Sequence, residues 1–133
     1  MKTITPLPVL LQSFFTDRLM AQRGASPHTL ASYRDTFRLL LHFAKNQLGK
    51  PPSALALEDL DAPFIGAFLD HLEKIRRNGA RSRNLLLTAL RSFFRYVSFQ
   101  EPGQSNHIQR VLAIPTKRHD RPLIYFLTRP EID

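Results

Sequence analysis

The chain has 133 residues, 43 % of them hydrophobic: enough for one packed domain with a linker, and too many for a disordered chain. It has no cysteine, which excludes disulfides and thiolate metal sites, and no apolar run near the ~20 residues of a membrane span. The net charge of +8, from 19 Lys+Arg against 11 Asp+Glu, favours a polyanionic partner. With no signal-peptide pattern at Met1-Lys2-Thr3-Ile4-Thr5-Pro6, a soluble cytoplasmic protein is expected.

Helical periodicity recurs along the chain and nothing alternates like a strand, so the fold class is all-α. A first helix is predicted from about Leu7 to Arg23, with Leu7, Leu10, Leu11, Phe14, Phe15 and Leu19 on one face and Gly24 ending it. The second opens on Ser26-Pro27, an N-cap with proline behind it, and runs to about Gln47. Its apolar face is Leu30, Tyr33, Phe37, Leu40, Leu41 and Ala44, and Gly49-Lys50-Pro51-Pro52 stops it. The third starts near Asp61 with Pro63 in its first turn, shows Ile65, Phe68, Leu69, Leu72 and Ile75, and breaks at Asn78-Gly79. The fourth covers roughly Ala80 to Phe99, with Leu86, Ala89, Leu90, Phe93, Phe94 and Val97 inward. After the Glu101-Pro102-Gly103 turn, a short fifth helix spans Ser105 to Leu112. Short connections, apart from a 48–60 loop, predict one compact bundle.

Beyond it, Thr116-Lys117-Arg118-His119-Asp120-Arg121 between Pro115 and Pro122 reads as an extended basic linker, followed by the apolar run Leu123-Ile124-Tyr125-Phe126-Leu127. The last residues hold Thr128 and Glu131 at capping-box spacing around Pro130, the opening turn of a helix. The expected organisation is a helical domain over 1–99, a connecting helix and basic linker over 100–127, and at 128–133 the first turn of a further domain.

Charge is segregated. Glu58 to Glu73 holds five acids and no Lys or Arg, whereas Lys74 to Gln100 holds seven Lys/Arg and no acid. At 100° per residue, Arg81, Asn84, Thr88, Arg91 and Arg95 share one arc of the fourth helix. Arg34, Arg38 and Lys45 share one arc of the second, and both helices carry Arg-x-x-Phe-Arg. Two such rows on neighbouring helices would offer planar guanidinium forks to phosphates, with Asn, Ser and Thr as neutral contacts. The bland alternative is that boundary arginines lie along a core with their heads in water.

Three strings resemble the N-terminal core-binding domain of the tyrosine recombinases, the phage-integrase family. They are Ser26-Pro27-His28-Thr29-Leu30-Ala31-Ser32-Tyr33-Arg34, then Phe68-Leu69-Asp70-His71-Leu72, then Arg81-Ser82-Arg83-Asn84 leading into Leu90-Arg91-Ser92-Phe93-Phe94-Arg95-Tyr96. The tail Leu127-Thr128-Arg129-Pro130-Glu131-Ile132 resembles the start of that family's catalytic domain. The resemblance implies a four-helix, sterile-alpha-motif-like bundle covering one side of duplex DNA, its second and fourth helices at the major groove. It also implies a catalytic domain on the other side that cleaves by a tyrosine nucleophile without a metal.

Carried over by position, the DNA-binding candidates are Ser26, Thr29, Ser32 and Arg34, then Arg81, Ser82, Asn84 and Arg91. The charge rows add Arg38, Lys45, Thr88 and Arg95, and the basic linker adds Lys117 and Arg118. Leu85-Leu86 departs from the basic pair that many relatives carry after the asparagine. No catalytic residue, metal site or cofactor is assigned. His107-Ile108-Gln109-Arg110 spells the family's His-x-x-Arg but precedes the linker, and Tyr33, Tyr96 and Tyr125 lack an arginine–histidine setting. Duplex DNA is the expected partner, and the isolated chain is expected to be monomeric. The first and fifth helices are, by resemblance, candidates for contacts between protomers on DNA. The alternatives are a helical protein-interaction module and a stand-alone regulator of recombination sites. The codons after Asp133 discriminate the recombinase from the regulator.

Overall fold

The structure, a computed structural model, describes residues 5–76, with the Arg76 side chain excepted, and 79–117. The predicted linker from Arg118 and the capping box at Thr128 lie outside the described residues. Among those described, five helices and no strand appear: α1 (Leu7–Ser13), α2 (Pro27–Leu48), α3 (Ala62–Arg76), α4 (Ala80–Gln100) and α5 (Ser105–Leu112).

α1 runs directly into a π-helical segment, Phe14–Gln22, where an α-helix to Arg23 was expected. The wider turn solves a spacing problem. Phe14 and Leu19 are both buried, but five residues of α-helix would set them roughly 140° apart. Bonds of the i→i+5 type, such as Arg23 N to the Arg18 carbonyl at 2.9 Å, bring residues five apart onto one face. Gly24 then turns the chain in the left-handed region at φ +56°.

α2 begins as its sequence dictates. The Ser26 hydroxyl accepts from Thr29 N–H at 3.1 Å, Pro27 occupies the first turn, and Gly49 closes the helix at φ +68°. Its buried face is Thr36, Phe37, Leu40, Phe43 and Ala44, so the contact is rotated from the expected one and Leu30, Tyr33 and Leu41 lie at its edge. Thr36 is accommodated because its hydroxyl donates to the Ser32 carbonyl at 3.1 Å.

The 48–60 loop contains two 3₁₀ turns, Pro52–Ala54 and Leu57–Asp59, which bury Leu55, Leu57 and Leu60 beneath the helices. Asp59 fixes the second turn by accepting from Ala56 N–H at 2.9 Å and pairing with Lys50 at 3.1 Å. The Ala56 N–H bond, with help from Lys50 and against partial burial, holds this carboxyl below its ordinary value. Its contribution to stability is therefore present above the unfolded-state value of about 3.9 and is lost as pH falls through the lowered folded value. Asp59→Ala should cost about 1 kcal/mol at pH 7, with the gap from wild type narrowing as pH falls below the ordinary carboxylate value; urea titrations at neutral and at acid pH check this.

α3 is capped by Asp61, which accepts from Phe64 N–H at 2.9 Å. It buries Ile65, Phe68, Leu69 and Leu72, but leaves Ile75 64 % exposed where an inward residue was expected. α4 is the central helix, packed on α2, α3 and α5. It buries Leu87 and Tyr96 in addition to Ala89, Leu90, Phe93, Phe94 and Val97, while Leu86 is only half-buried. The core continues through α5, whose Ile108 and Val111 are fully buried.

Candidate nucleic-acid interface

α2 and α4 lie side by side, and the seam between them opens outward as a shallow groove. Ser32, Asp35, Thr36 and Leu39 line one wall, with Ser82, Leu85 and Leu86 on the other. The two helices meet here because each has a core face and a small or polar flank beside it. Ser32 on α2 and Ser82 on α4 allow close approach where bulkier side chains would separate the backbones.

The groove orders the candidate residues. On α4, Arg81 and Thr88 sit within roughly 60° of Leu85 on the helical wheel, Arg95 at roughly 80°, and Asn84 and Arg91 at roughly 100–120°. The row therefore runs from the groove rim around to the opposite flank. On α2, Arg38 lies roughly 100° from Leu39 and reaches the groove through its contact with Asp35, whereas Lys45 lies roughly 120° from Leu39 and Arg34 opposite Ser32. Arg34, Arg38, Lys45, Arg81, Thr88 and Arg95 are all exposed, and Ser82 is half-buried.

The structure thus gathers Ser32, Arg38, Arg81, Ser82 and Thr88 around one seam, while Arg95 lies toward the Asn84 flank of α4. Arg34 turns toward the far side of α2, and Lys45 lies about 9 Å along the helix beyond Leu39. Ser26 and Thr29 sit at the start of α2, where their hydroxyls bond each other at 3.1 Å. The Thr88 hydroxyl donates to the Asn84 carbonyl at 2.9 Å. Arg38 has a loose partner in Asp35 at 3.8 Å, with both side chains about 70 % exposed; such a pair is worth little and leaves the guanidinium available.

On the other flank of α4 the polar row is occupied by the chain itself. Asn84 Nδ2 donates to the Lys117 carbonyl at 2.7 Å, and Lys117 N–H donates to Asn84 Oδ1 at 2.8 Å. The Arg91 guanidinium donates to the Ile114 carbonyl, and Arg83 Nη1 to the Pro115 carbonyl at 3.3 Å. Glu73 of α3 completes the set, pairing with Lys117 Nζ at 3.0 Å and lying 3.4 Å from Arg83 Nε. That last contact is an ion pair by distance without hydrogen-bond geometry at Nε. Arg118, the remaining candidate, lies outside the described residues.

Three groups outside the expected DNA contacts stand out. Asp35 places a carboxylate inside the groove, and Leu85 stands 65 % exposed at its mouth. Glu73 is the tether of the 114–117 segment; its one signal in the sequence was its position closing the acidic stretch. Three of the five acids of that stretch have local duties: Asp59 and Asp61 cap, and Glu73 tethers. His107 bonds the Leu57 carbonyl at 2.9 Å and packs edge-on against Phe94, a structural role. The Tyr96 ring is buried, with its hydroxyl against that of Ser13. No group of three or more His, Cys, Asp or Glu able to hold a metal occurs among the described residues, and no described helix is long and apolar enough to cross a membrane.

Comparison with known proteins agrees with this architecture. Residues 13–100 match the family model described as phage integrase, N-terminal SAM-like domain. The chain is 62 % identical over 127 residues to a Sinorhizobium fredii (strain NBRC 101917 / NGR234) protein provisionally named integrase/recombinase y4rC, covering 96 % of this chain and 38 % of that protein. It is 48 % identical over 127 residues to the similarly named y4rD of the same strain, covering 96 % of this chain and 45 % of the relative. Tyrosine recombinase XerC of Rhodospirillum centenum (strain ATCC 51521 / SW) is 40 % identical over 104 residues, 77 % of this chain and 29 % of that protein. The chain thus spans less than half the length of each of these relatives. No solved structure matches it significantly. The five-helix bundle and the matched span place the chain in the phage integrase family, in that family's N-terminal SAM-like domain.

Proposed function

We propose that this chain is the part of a site-specific tyrosine recombinase that grips one side of duplex DNA at a recombination site. Strand cleavage and joining are assigned to a separate catalytic domain of the parent protein. The observation that carries the proposal is the α2–α4 seam, whose walls bear Ser32 and Ser82, with exposed Arg81 beside Leu85 on α4 and Arg38 paired with the wall residue Asp35 on α2. Guanidinium groups spaced along two adjoining helices suit the phosphates flanking a groove, and the hydroxyls between them suit base edges or further phosphates. Asp35 tempers the positive field within the seam and is suited to accept from a cytosine amino group. The y4rC, y4rD and XerC relatives, all named as recombinases, support the same reading.

Binding by this chain alone should be weak, on the order of 10⁻⁴–10⁻⁶ M at physiological salt, because it is largely electrostatic. A titration with a short duplex at several salt concentrations, followed by amide chemical shifts, tests the proposal. Shifts should cluster on residues 28–39 and 81–95, and affinity should fall steeply with salt. Shifts confined to α3 and α5, or none at all, would overturn it.

A further inference from the structure

The geometry points to a latch: residues 114–117 occupy the Asn84–Arg91 edge of α4 in the free chain, and duplex DNA displaces them when it takes that edge. The inference rests on the DNA-binding reading above and adds to it a coupling between DNA contact and the path of the chain beyond α5.

The latch is specific in form. Asn84 uses both halves of its amide on one residue, donating to the Lys117 carbonyl and accepting from its N–H, which fixes backbone position irrespective of side chain. Arg91, three residues nearer along the segment, holds the Ile114 carbonyl, and Arg83 the Pro115 carbonyl. The segment is therefore held at both ends, and Glu73 anchors Lys117 from α3. These contacts are made largely at the surface, so each contributes modestly and can be exchanged.

The competition is chemical. A guanidinium bonded to a neutral carbonyl gains a stronger, charge-assisted partner when a phosphate arrives. The Asn84 amide is likewise suited to an adenine edge or a phosphate. Glu73 on this flank opposes a polyanion while Lys117 covers it, and releasing Lys117 frees a cation for the duplex. DNA contact along α4 would thus switch the exit path of the linker, and an intact latch would lower the apparent affinity of the free chain.

The test follows the 133-residue chain by NMR, using the Asn84 side-chain NH₂ resonance and the backbone ¹⁵N heteronuclear NOE of Thr116 and Lys117. In the free chain these NOEs should match those of α4, and in Asn84→Ala they should drop to values typical of a chain end, with α2 and α3 amide shifts unchanged as the control for folding. Saturating duplex should produce the same drop in the wild type together with a shift of the Asn84 NH₂ signals. If the segment stays ordered and Asn84 unshifted on saturating duplex, the latch is overturned while DNA binding stands. If no amide responds to duplex, both fall, and the Asn84→Ala comparison still reports whether the segment is held. Equal disorder in the free wild type and the variant also overturns the latch.

Discussion

Replacing Phe14 with alanine should cost about 3–5 kcal/mol, the largest single-residue loss expected in this protein. Phe14 is the first residue of the π segment and is fully buried. Its ring meets Phe15 and Phe93 at 5.5 Å, Tyr96 at 5.8 Å, Phe37 at 6.1 Å and Tyr33 at 6.4 Å between centroids. It thereby joins the first helical segment to both α2 and α4, and truncation leaves a cavity walled by rigid rings that collapse poorly. Against a total stability of about 5–15 kcal/mol typical of such domains, this loss leaves the folded state marginal. Urea unfolding at 25 °C measures it. Phe99→Ala is the internal comparison: its ring is 72 % exposed beneath the Arg18 guanidinium, so the cost should stay under about 1 kcal/mol. A Phe14→Ala loss no larger than that of Phe99→Ala would mean that the aromatic cluster does not organise the core.

Removing three exposed arginines of α2 and α4 together, Arg38→Ala with Arg81→Ala and Arg95→Ala, should weaken duplex binding by roughly tenfold or more at low salt. It should also lower the slope of log affinity against log salt by about 2–3, since each phosphate contact contributes about 0.9. All three are exposed, so their loss should leave thermal unfolding nearly unchanged. The double variant Arg34→Ala with Lys45→Ala supplies the geometric control. Arg34 lies opposite Ser32 and Lys45 about 9 Å along the helix beyond Leu39, so their removal should cost less, on the order of twofold, through the general field alone. Should the double variant lose as much as the triple, the duplex lies along the outer side of α2, and the seam is misassigned.

Much of the bundle was legible because its signals are local. Ser26-Pro27 starts α2 and Gly49 ends it as read, since a cap and a left-handed glycine act within four residues of themselves. The bounds of α4 and α5 follow similarly from Gly79 and from the Glu101-Pro102-Gly103 turn. The π register was not legible, because Phe14 and Leu19 share a face only once α2 and α4 present them with one core. Faces drifted for the same reason: Phe43 and Leu87 are inward and Ile75 is outward because the position of the neighbouring helix, not the apolar period alone, selects the buried arc.

The candidate site divides along the same line. That arginines line an arc of α2 and of α4 is a property of each helix by itself, fixed by 3.6 residues per turn. Which end of each arc adjoins the other helix is a property of their packing, and it sets Arg81 beside the groove and Arg38 against its wall residue Asp35. The pairing of Asn84 with Lys117 spans 33 residues, and no local pattern announces it.

What the sequence determined alone is an all-α chain, its helix ends, its family likeness and its excess of positive charge, because caps, periodicity and composition act at short range. What the tertiary structure alone decided is which charges share a seam and which polar side chains the chain has already taken for itself. Those depend on crossing geometry and on contacts between residues far apart in sequence, which arise only when the core closes around α4.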